Sequence, residues 1–348
     1  MKINKKVISD LEKCYSIAPL LYQGRRHILV AAEKHAPCYL FDEDGNRKET
    51  VWEEPGGVMS MAQVPGSDGV FLATHKFYSP NDSKEAKIVA VRPSGEGSWE
   101  VKTLAELPFV HRFDIMTRNG INYLIACTLK SGHAYKDDWS MPGKVYTAVL
   151  PEDLSGFQED RQLELIVLKD GMLKNHGYYK IQEEGSEACL ISCEEGVFRF
   201  TPPASPEKSW EIEKLISDPC SDAVLLDLDG DGEKELAAIA PFHGNSVVIY
   251  KKTVFGYQKV YSYDQAEFAH AIWGGSLLGK PSLIIGHRKG TRDLLLFTYN
   301  ETNGQYEAQV LDHDCGAANV FKYDKDGKEI LIATNREINE VAMYTFEE

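Results

Sequence analysis

The chain has 348 residues, with 38 basic against 53 acidic side chains and a formal net charge of −15. This balance argues against nucleic acid as a partner, because phosphates require a basic face, and no apolar run approaches the ~18 residues of a membrane span. Seven scattered cysteines and an amino-terminal segment without an uninterrupted apolar stretch predict a reduced, cytoplasmic protein without a secretory signal.

One short pattern recurs along the chain: four or five apolar residues, a small residue and a polar pair. The runs are rich in Val, Ile and Leu and are bounded by Gly, Pro, Asn or Asp, which predicts buried strands. There are seven copies, about one in every 50 residues. In chain order they lie at 27–35, 69–77, 122–130, 187–195, 234–243, 281–289 and 329–337.

Each copy has neighbours in a constant order: a strand with a Gly-containing turn before it, and a third and a more polar fourth strand after it. The last copy lacks its fourth strand, and the amino-terminal segment NKKVISDL has the pattern to supply it. We therefore predict an all-β fold, a seven-bladed β-propeller of four-stranded antiparallel blades in one domain over 1–348. The predicted blades are 14–54, 55–107, 108–173, 174–219, 220–267, 268–314, and 315–348 together with 1–13.

One turn carries an acidic motif. DLDGDGEKE at 227–235 resembles the calcium loop of FG-GAP (VCBS) propeller repeats. The resemblance implies a structural Ca²⁺ held by oxygen atoms of Asp227, Asp229, Asp231 and Glu235. An ordinary acidic turn without metal is the alternative, and strand parity places the loop on the lower face in either case.

Histidines concentrate on the opposite face. Strand parity assigns eight of the ten to the upper face, which carries the turns between second and third strands and the crossovers between blades. His111, His176 and His270 each directly precede an innermost strand, so their imidazoles are predicted to meet near the axis. Three neutral nitrogens with an open position suit Zn²⁺ or Mn²⁺.

The same face supplies candidates for acid–base chemistry and for ligand binding. His75, His287 and Tyr178 are predicted to move protons. In an acidic protein, the cationic and hydroxyl groups there favour an anionic or keto-bearing carbohydrate as the partner. The predicted substrate contacts are Lys76, Arg112, His133, Tyr135, His243, Arg288 and Arg336.

A histidine-lined propeller mouth is similar to that of propeller polysaccharide lyases and of the propeller domain of aldos-2-ulose (anhydrofructose) dehydratase. The resemblance implies a carbohydrate-active carbon–oxygen lyase or dehydratase that performs metal-assisted β-elimination on a keto sugar or uronide. The alternative is a non-catalytic propeller that binds a sugar or a protein. The sequence indicates no oligomeric state.

Overall fold

The computed structural model describes residues 1–183 and 185–347, and its regular structure is almost entirely β-strand. Within those residues the one helical segment is a 3₁₀ turn at Arg336–Ile338. The same ranges contain no helix long and apolar enough to cross a membrane.

The strands fall into groups of four, which we call units 1 to 7. The amino-terminal strand, β1 (Lys2–Asp10), belongs to unit 7. The other strands, unit by unit, are β2 (Cys14–Tyr22), β3 (Arg25–Ala32), β4 (Cys38–Asp42) and β5 (Arg47–Trp52); β6 (Met61–Gln63), β7 (Phe71–His75), β8 (Lys87–Gly95) and β9 (Ser98–Glu106); β10 (Val110–Arg118), β11 (Ile121–Thr128), β12 (Gly143–Val149) and β13 (Ile166–Met172); β14 (Gly177–Glu183), β15 (Ser186–Cys193), β16 (Gly196–Thr201) and β17 (Glu211–Ile216); β18 (Asp222–Leu226), β19 (Glu235–Ala240), β20 (Ser246–Thr253) and β21 (Gly256–Tyr263); β22 (Ala269–Leu277), β23 (Lys280–His287), β24 (Leu294–Asn300) and β25 (Gln305–Asp312); and β26 (Ala317–Lys325), β27 (Lys328–Asn335) and β28 (Glu340–Glu347).

Strand pairing is antiparallel throughout the described residues. Five units are separate four-stranded sheets, and units 3 and 4 join into one eight-stranded sheet through a single residue pair, Arg118 and Ser186. The first strands β2, β6, β10, β14, β18, β22 and β26 contact one another in that order, and β26 contacts β2, so they surround a central axis. The amino-terminal strand pairs with β28, as predicted, and completes unit 7.

The seven apolar runs of the sequence form the second strands of the units. Their alternate residues point to opposite faces of the sheet, and both faces are covered by neighbouring units, so the runs are apolar without alternation. The main hydrophobic clusters accordingly combine residues of adjacent units, for example Leu72 with Leu124, and Leu283 with Ala237. All seven cysteines are buried and free.

Two long connections lie in unit 3. The first, 131–142, is the insertion visible in the sequence, between β11 and β12. The second, 150–165, joins β12 to β13 and lies along β9 of unit 2. Leu163 N–H donates to the carbonyl oxygen of Leu104 at 2.7 Å, and Gln162 Oε1 accepts from Glu106 N–H at 2.7 Å. This connection therefore covers an exposed strand edge.

Candidate metal centre

Irregularities at the starts of four first strands share one repeat position. The register shifts at Tyr15 in β2, His111 in β10, His270 in β22 and Ala318 in β26. A β-bulge adds one residue to a strand and re-aims its side chain. His176 directly precedes β14, at the corresponding point of unit 4. These residues contact one another across the axis, as the following distances show.

Three histidines bring ring nitrogens together. His176, His243 and His270 each offer one nitrogen, and the three atoms all lie within 4.8 Å of one another. His176 and His270 are buried, whereas His243 is partly exposed in the loop between β19 and β20. We call these three residues the histidine trio. Imidazole nitrogens at this spacing are a ligand set for a divalent transition metal such as Zn²⁺.

Acceptors behind two of the rings fix their orientation. Asp222 Oδ2 lies 2.7 Å from Nδ1 of His176, and the carbonyl oxygen of Ala318 lies 2.7 Å from Nδ1 of His270. Both Nδ1 atoms must carry the hydrogen, because a carbonyl or carboxylate oxygen only accepts. Such contacts orient metal-binding histidines and make the other nitrogen more basic. The Nε2 atoms of His176 and His243 face each other at 3.2 Å.

The contact between His176 and Asp222 requires a close approach of units 4 and 5, and Gly177 permits it. A Cβ atom at this position would lie 2.5 Å from the carbonyl oxygen of Ser221 and 2.7 Å from Cα of Asp222. Any side chain larger than hydrogen would push β18 away from β14. The glycine therefore serves a packing purpose in a strand.

Aromatic rings enclose the third histidine. The ring of His243 stacks between Phe242 and Phe268, at centroid distances of 3.9 and 4.4 Å. Trp139, from the insertion 131–142, packs edge-on against Phe242 at 5.7 Å. The stacked phenyl rings hold the imidazole in place from both sides. Trp139 adds to the wall of the site, a contribution of the insertion that the sequence did not predict.

Burial keeps several of these groups neutral. Desolvation lowers the pKa of His111, His243 and His270 well below the ordinary histidine value, and the neighbouring cationic and imidazole groups lower it further. Neutral imidazole is the form that binds metal. Desolvation also raises the pKa of Tyr15 to about 12, so its hydroxyl keeps its proton.

The trio differs in one member from the predicted ligand set. His176 and His270 are common to both, and His243, predicted to contact substrate, is the third ligand candidate instead of His111. His111 lies next to the trio: its ring centroid is 4.4 Å from that of His176, and its Nδ1 is 3.3 Å from the carbonyl oxygen of His176.

The three predicted proton-transfer residues lie elsewhere. His75 is buried against Trp52, with ring centroids 4.7 Å apart, and burial lowers its pKa to about 3. His287 is held by its own loop, since Nδ1 donates to the carbonyl oxygen of Lys289 and Nε2 accepts from Asp293 N–H at 3.0 Å. Desolvation raises the pKa of the buried Tyr178 hydroxyl well above its ordinary value.

Four of the predicted substrate-binding residues are spread over the upper face and are not gathered around the trio. Lys76 pairs with Glu85 at 3.0 Å, and Tyr135 is 69% exposed at the surface of the insertion. His133 folds back onto its own loop, with Nδ1 3.2 Å from the carbonyl oxygen of Tyr135. Arg112 lies nearer the axis, where it donates to the carbonyl oxygen of Met59 at 2.7 Å.

The two remaining arginines belong to an ion-pair network beside the site. Arg288 contacts Glu337 at 2.8 Å, and Arg336 contacts both Glu337, at 2.8 Å, and Glu33. The two carboxylates balance the two guanidinium groups. Arg288 also lies over the ring of Phe268, 5.0 Å from its centroid, so it braces one of the rings that stack on His243.

In the acidic loop of unit 5, the side chains of Asp227, Asp229 and Glu235 do converge within 4.8 Å, whereas Asp231 is outside that group. Lys251, from β20, contacts Asp229 and lies 2.7 Å from Asp231 and 3.8 Å from Glu235. Its ammonium group thus supplies positive charge to three of the four predicted calcium ligands. With Lys251 there, the residues do not fit a calcium ion.

Sequence reasoning missed Tyr15 and Asp222, whose side chains hydrogen-bond to members of the trio. Tyr15 occupies the same repeat position as His111 and His270, so an alignment of all seven units was the signal that could have found it. Asp222 begins β18 and has no distinguishing motif; only the packing of unit 4 on unit 5 makes it a partner of His176.

No family model matches the chain, and no curated protein matches it either. Solved structures do. A streptogramin B lyase structure is similar over 98% of this chain and 97% of that chain, with a TM-score of 0.54 and 14% identity. The Cps50 (Swd1) β-propeller domain of Myceliophteria thermophila is similar over 99% of this chain and 100% of that chain, with a TM-score of 0.60 and 8% identity. The fold is therefore a β-propeller, as predicted, and identities this low show the fold alone.

Proposed function

We propose that the protein is a lyase whose active centre is a divalent transition metal, Zn²⁺ or Mn²⁺, held by His176, His243 and His270. The observation that carries the proposal is the convergence of three imidazole nitrogens with Asp222 behind His176. A structural core seldom buries three imidazoles in contact with one another, because each buried polar group needs a partner.

The reaction class follows from what such a centre does. A bound ion with three protein ligands acts as a Lewis acid toward a carbonyl or carboxylate oxygen. In β-elimination the C–H bond beside that carbonyl breaks and its proton passes to a base. The electron pair forms the carbon–carbon double bond, and the C–O bond to a hydroxyl or glycosidic oxygen breaks as that oxygen takes a proton. We propose a keto sugar or uronide as substrate.

The chain offers a base beside the trio. Nδ1 of His111 donates to the carbonyl oxygen of His176, which leaves a lone pair on Nε2 of His111. Desolvation lowers its pKa, so the ring is unprotonated at neutral pH, and the same lowered pKa makes it a weak base that requires a C–H bond acidified by the metal. Arg112, the next residue in β10, is the cation that we propose to bind an anionic group of the substrate. These assignments move the proposed base from His75, His287 and Tyr178 to the axis.

A non-catalytic binding propeller is the second candidate, and the deep burial of the site favours it. His111, His176 and His270 are each no more than 3% exposed, and aromatic rings stack on both faces of His243. A metal there would then support the structure while ligands bind on the surrounding face.

The deciding experiment is elemental analysis of protein purified without chelator. We expect about one equivalent of Zn or Mn, as for a three-histidine site, lost in His176→Ala and retained in His27→Ala, a histidine outside the cluster. Protein without transition metal, and unable to take it up, would contradict the proposal. A metal-loaded protein that forms no unsaturated product from keto sugars or uronides would support the binding propeller instead.

A further inference from the structure

Tyr15 contacts the histidine trio, and no step above uses it. Its Oη lies 3.1 Å from Nε2 of His270, and both side chains are buried. The two residues are 255 positions apart in the chain, in units 1 and 6. Tyr15 reaches the axis from the bulge at the start of β2, the position that His270 occupies in β22.

The direction of this hydrogen bond follows from the other side of the ring. Nδ1 of His270 lies 2.7 Å from the carbonyl oxygen of Ala318, so Nδ1 carries the hydrogen. Nε2 is then the ring nitrogen that has a lone pair, and it faces the Tyr15 hydroxyl at 3.1 Å. A phenolic hydroxyl has one hydrogen to donate, so Tyr15 donates to that lone pair.

That lone pair is the one a metal would require. One nitrogen cannot accept a hydrogen bond and bind an ion with the same electron pair, so the Tyr15 hydroxyl competes with the metal for His270. When the nitrogen binds an ion, the hydroxyl loses its partner while still buried beside the site. A buried hydroxyl without a partner is costly, so it would take the nearest acceptor.

On the basis of the proposed metal centre, we propose that Tyr15 has two hydrogen-bond partners in turn. It donates to His270 Nε2 in the metal-free protein, and to an oxygen atom of the ligand on the metal once His270 has taken up the ion. Tyr15 is then a positioning residue that selects ligands presenting an anionic oxygen. The ring of Tyr15 also lies 5.7 Å from the guanidinium group of Arg112, which favours negative charge at the same place.

The test uses Co²⁺ as a spectroscopic metal and glycolate as an oxygen ligand, in wild-type protein and Tyr15→Phe. Phenylalanine keeps the packing and removes the hydroxyl. Loss of a competing hydrogen bond predicts Co²⁺ binding about 3- to 10-fold tighter in the variant. Loss of a donor to an anionic oxygen predicts glycolate binding to the cobalt protein about 10-fold weaker. Opposite changes are expected only if the hydroxyl has both roles.

Tyr123→Phe is the matched control, because the Tyr123 hydroxyl is buried in β11 without a hydrogen-bond partner; both affinities are expected to match wild type. If wild-type protein binds neither Co²⁺ nor Zn²⁺, the proposed metal centre fails. If it binds them and Tyr15→Phe leaves either affinity unchanged or shifts both in one direction, the role of Tyr15 alone is overturned. Should Tyr15→Phe not fold, the near-UV tyrosine spectrum of wild type decides, since saturating Zn²⁺ without any spectral change would overturn the exchange of partners.

Discussion

Two groups of three ligand side chains lie on opposite faces of this propeller, and they differ in what neutralises or orients them. In the histidine trio, the acceptors Asp222 and the Ala318 carbonyl hold the outer nitrogens, and the inner nitrogens face one another. In the acidic loop, the ammonium group of Lys251 lies among the carboxylates. Residue types alone therefore do not identify a metal site; the partners of the ligand atoms do.

The difference also concerns charge. The three imidazoles gain a positive ion at the cost of two hydrogen bonds, the one between His176 and His243 and the one from Tyr15 to His270. The loop carboxylates already have a cation from β20, and a calcium ion would have to displace it. Although burial opposes it, hydrogen bonding to Asp229 and Asp231 raises the pKa of Lys251, so the ammonium stays charged. A lysine therefore neutralises carboxylates of this loop.

The largest effect is expected from removing the acceptor behind His176. Asp222→Asn keeps the shape of the side chain and removes its charge, so Nε2 of His176 becomes less basic. Loss of such a partner typically reduces metal affinity 10- to 100-fold. Competition with a chromophoric chelator would measure the Zn²⁺ affinity. Ser221→Ala is the control, because it removes a hydroxyl that makes only long contacts, 3.3 Å to the same nitrogen and 3.4 Å to Asp222 Oδ2, and keeps the carboxylate. Equal affinities in all three proteins would contradict the role of Asp222.

The second test removes the internal cation from the acidic loop. In Lys251→Met, the buried carboxylates of Asp229 and Glu235 lose their counter-charge, and the free energy of unfolding should fall by about 1–3 kcal/mol, a range that allows for the partial exposure of Lys251. Urea unfolding with and without calcium would measure it. We expect calcium to restore stability in the variant and to leave wild type unchanged. A wild-type protein stabilised by calcium would show that Lys251 yields to the ion.

The smallest effect concerns a histidine outside both groups. Burial lowers the pKa of His75 to about 3, so the folded protein leaves it unprotonated where the unfolded chain, with a pKa of about 6.5, binds a proton. The contribution of His75 to the free energy of unfolding is therefore fully present above pH ~6.5. It falls by about 1.4 kcal/mol per pH unit as the pH drops toward 3.

His75→Phe should make the acid side of the stability–pH curve shallower by that amount, as measured by urea unfolding between pH 4.5 and 6, about the window those pKa values define. Tyr123→Phe, which removes no group that titrates in acid, should leave the slope as in wild type. An unchanged slope in His75→Phe would show that His75 is protonated in the folded protein.

Much of the architecture was predictable because it depends on local pattern. The seven apolar runs coincide with β3, β7, β11, β15, β19, β23 and β27, since a strand covered on both faces must be apolar along its whole length. The pairing of β1 with β28 was predictable because the last repeat of the sequence lacks its fourth strand. Strand parity assigned eight of the ten histidines to one face, because successive antiparallel strands alternate in direction.

The composition of the site was decided by tertiary structure. The bulges at Tyr15, His111 and His270 determine which side chains turn toward the axis, and a bulge has no reliable sequence signature. His243, rather than His111, completes the trio because Phe242 and Phe268 stack on its two faces. The sequence determined the strands, their order and the residue types at each turn, because those depend on neighbours along the chain. Packing between units decided which side-chain groups become partners in the site. Those partners are far apart in the chain, by 46 positions for His176 and Asp222 and by 255 for Tyr15 and His270.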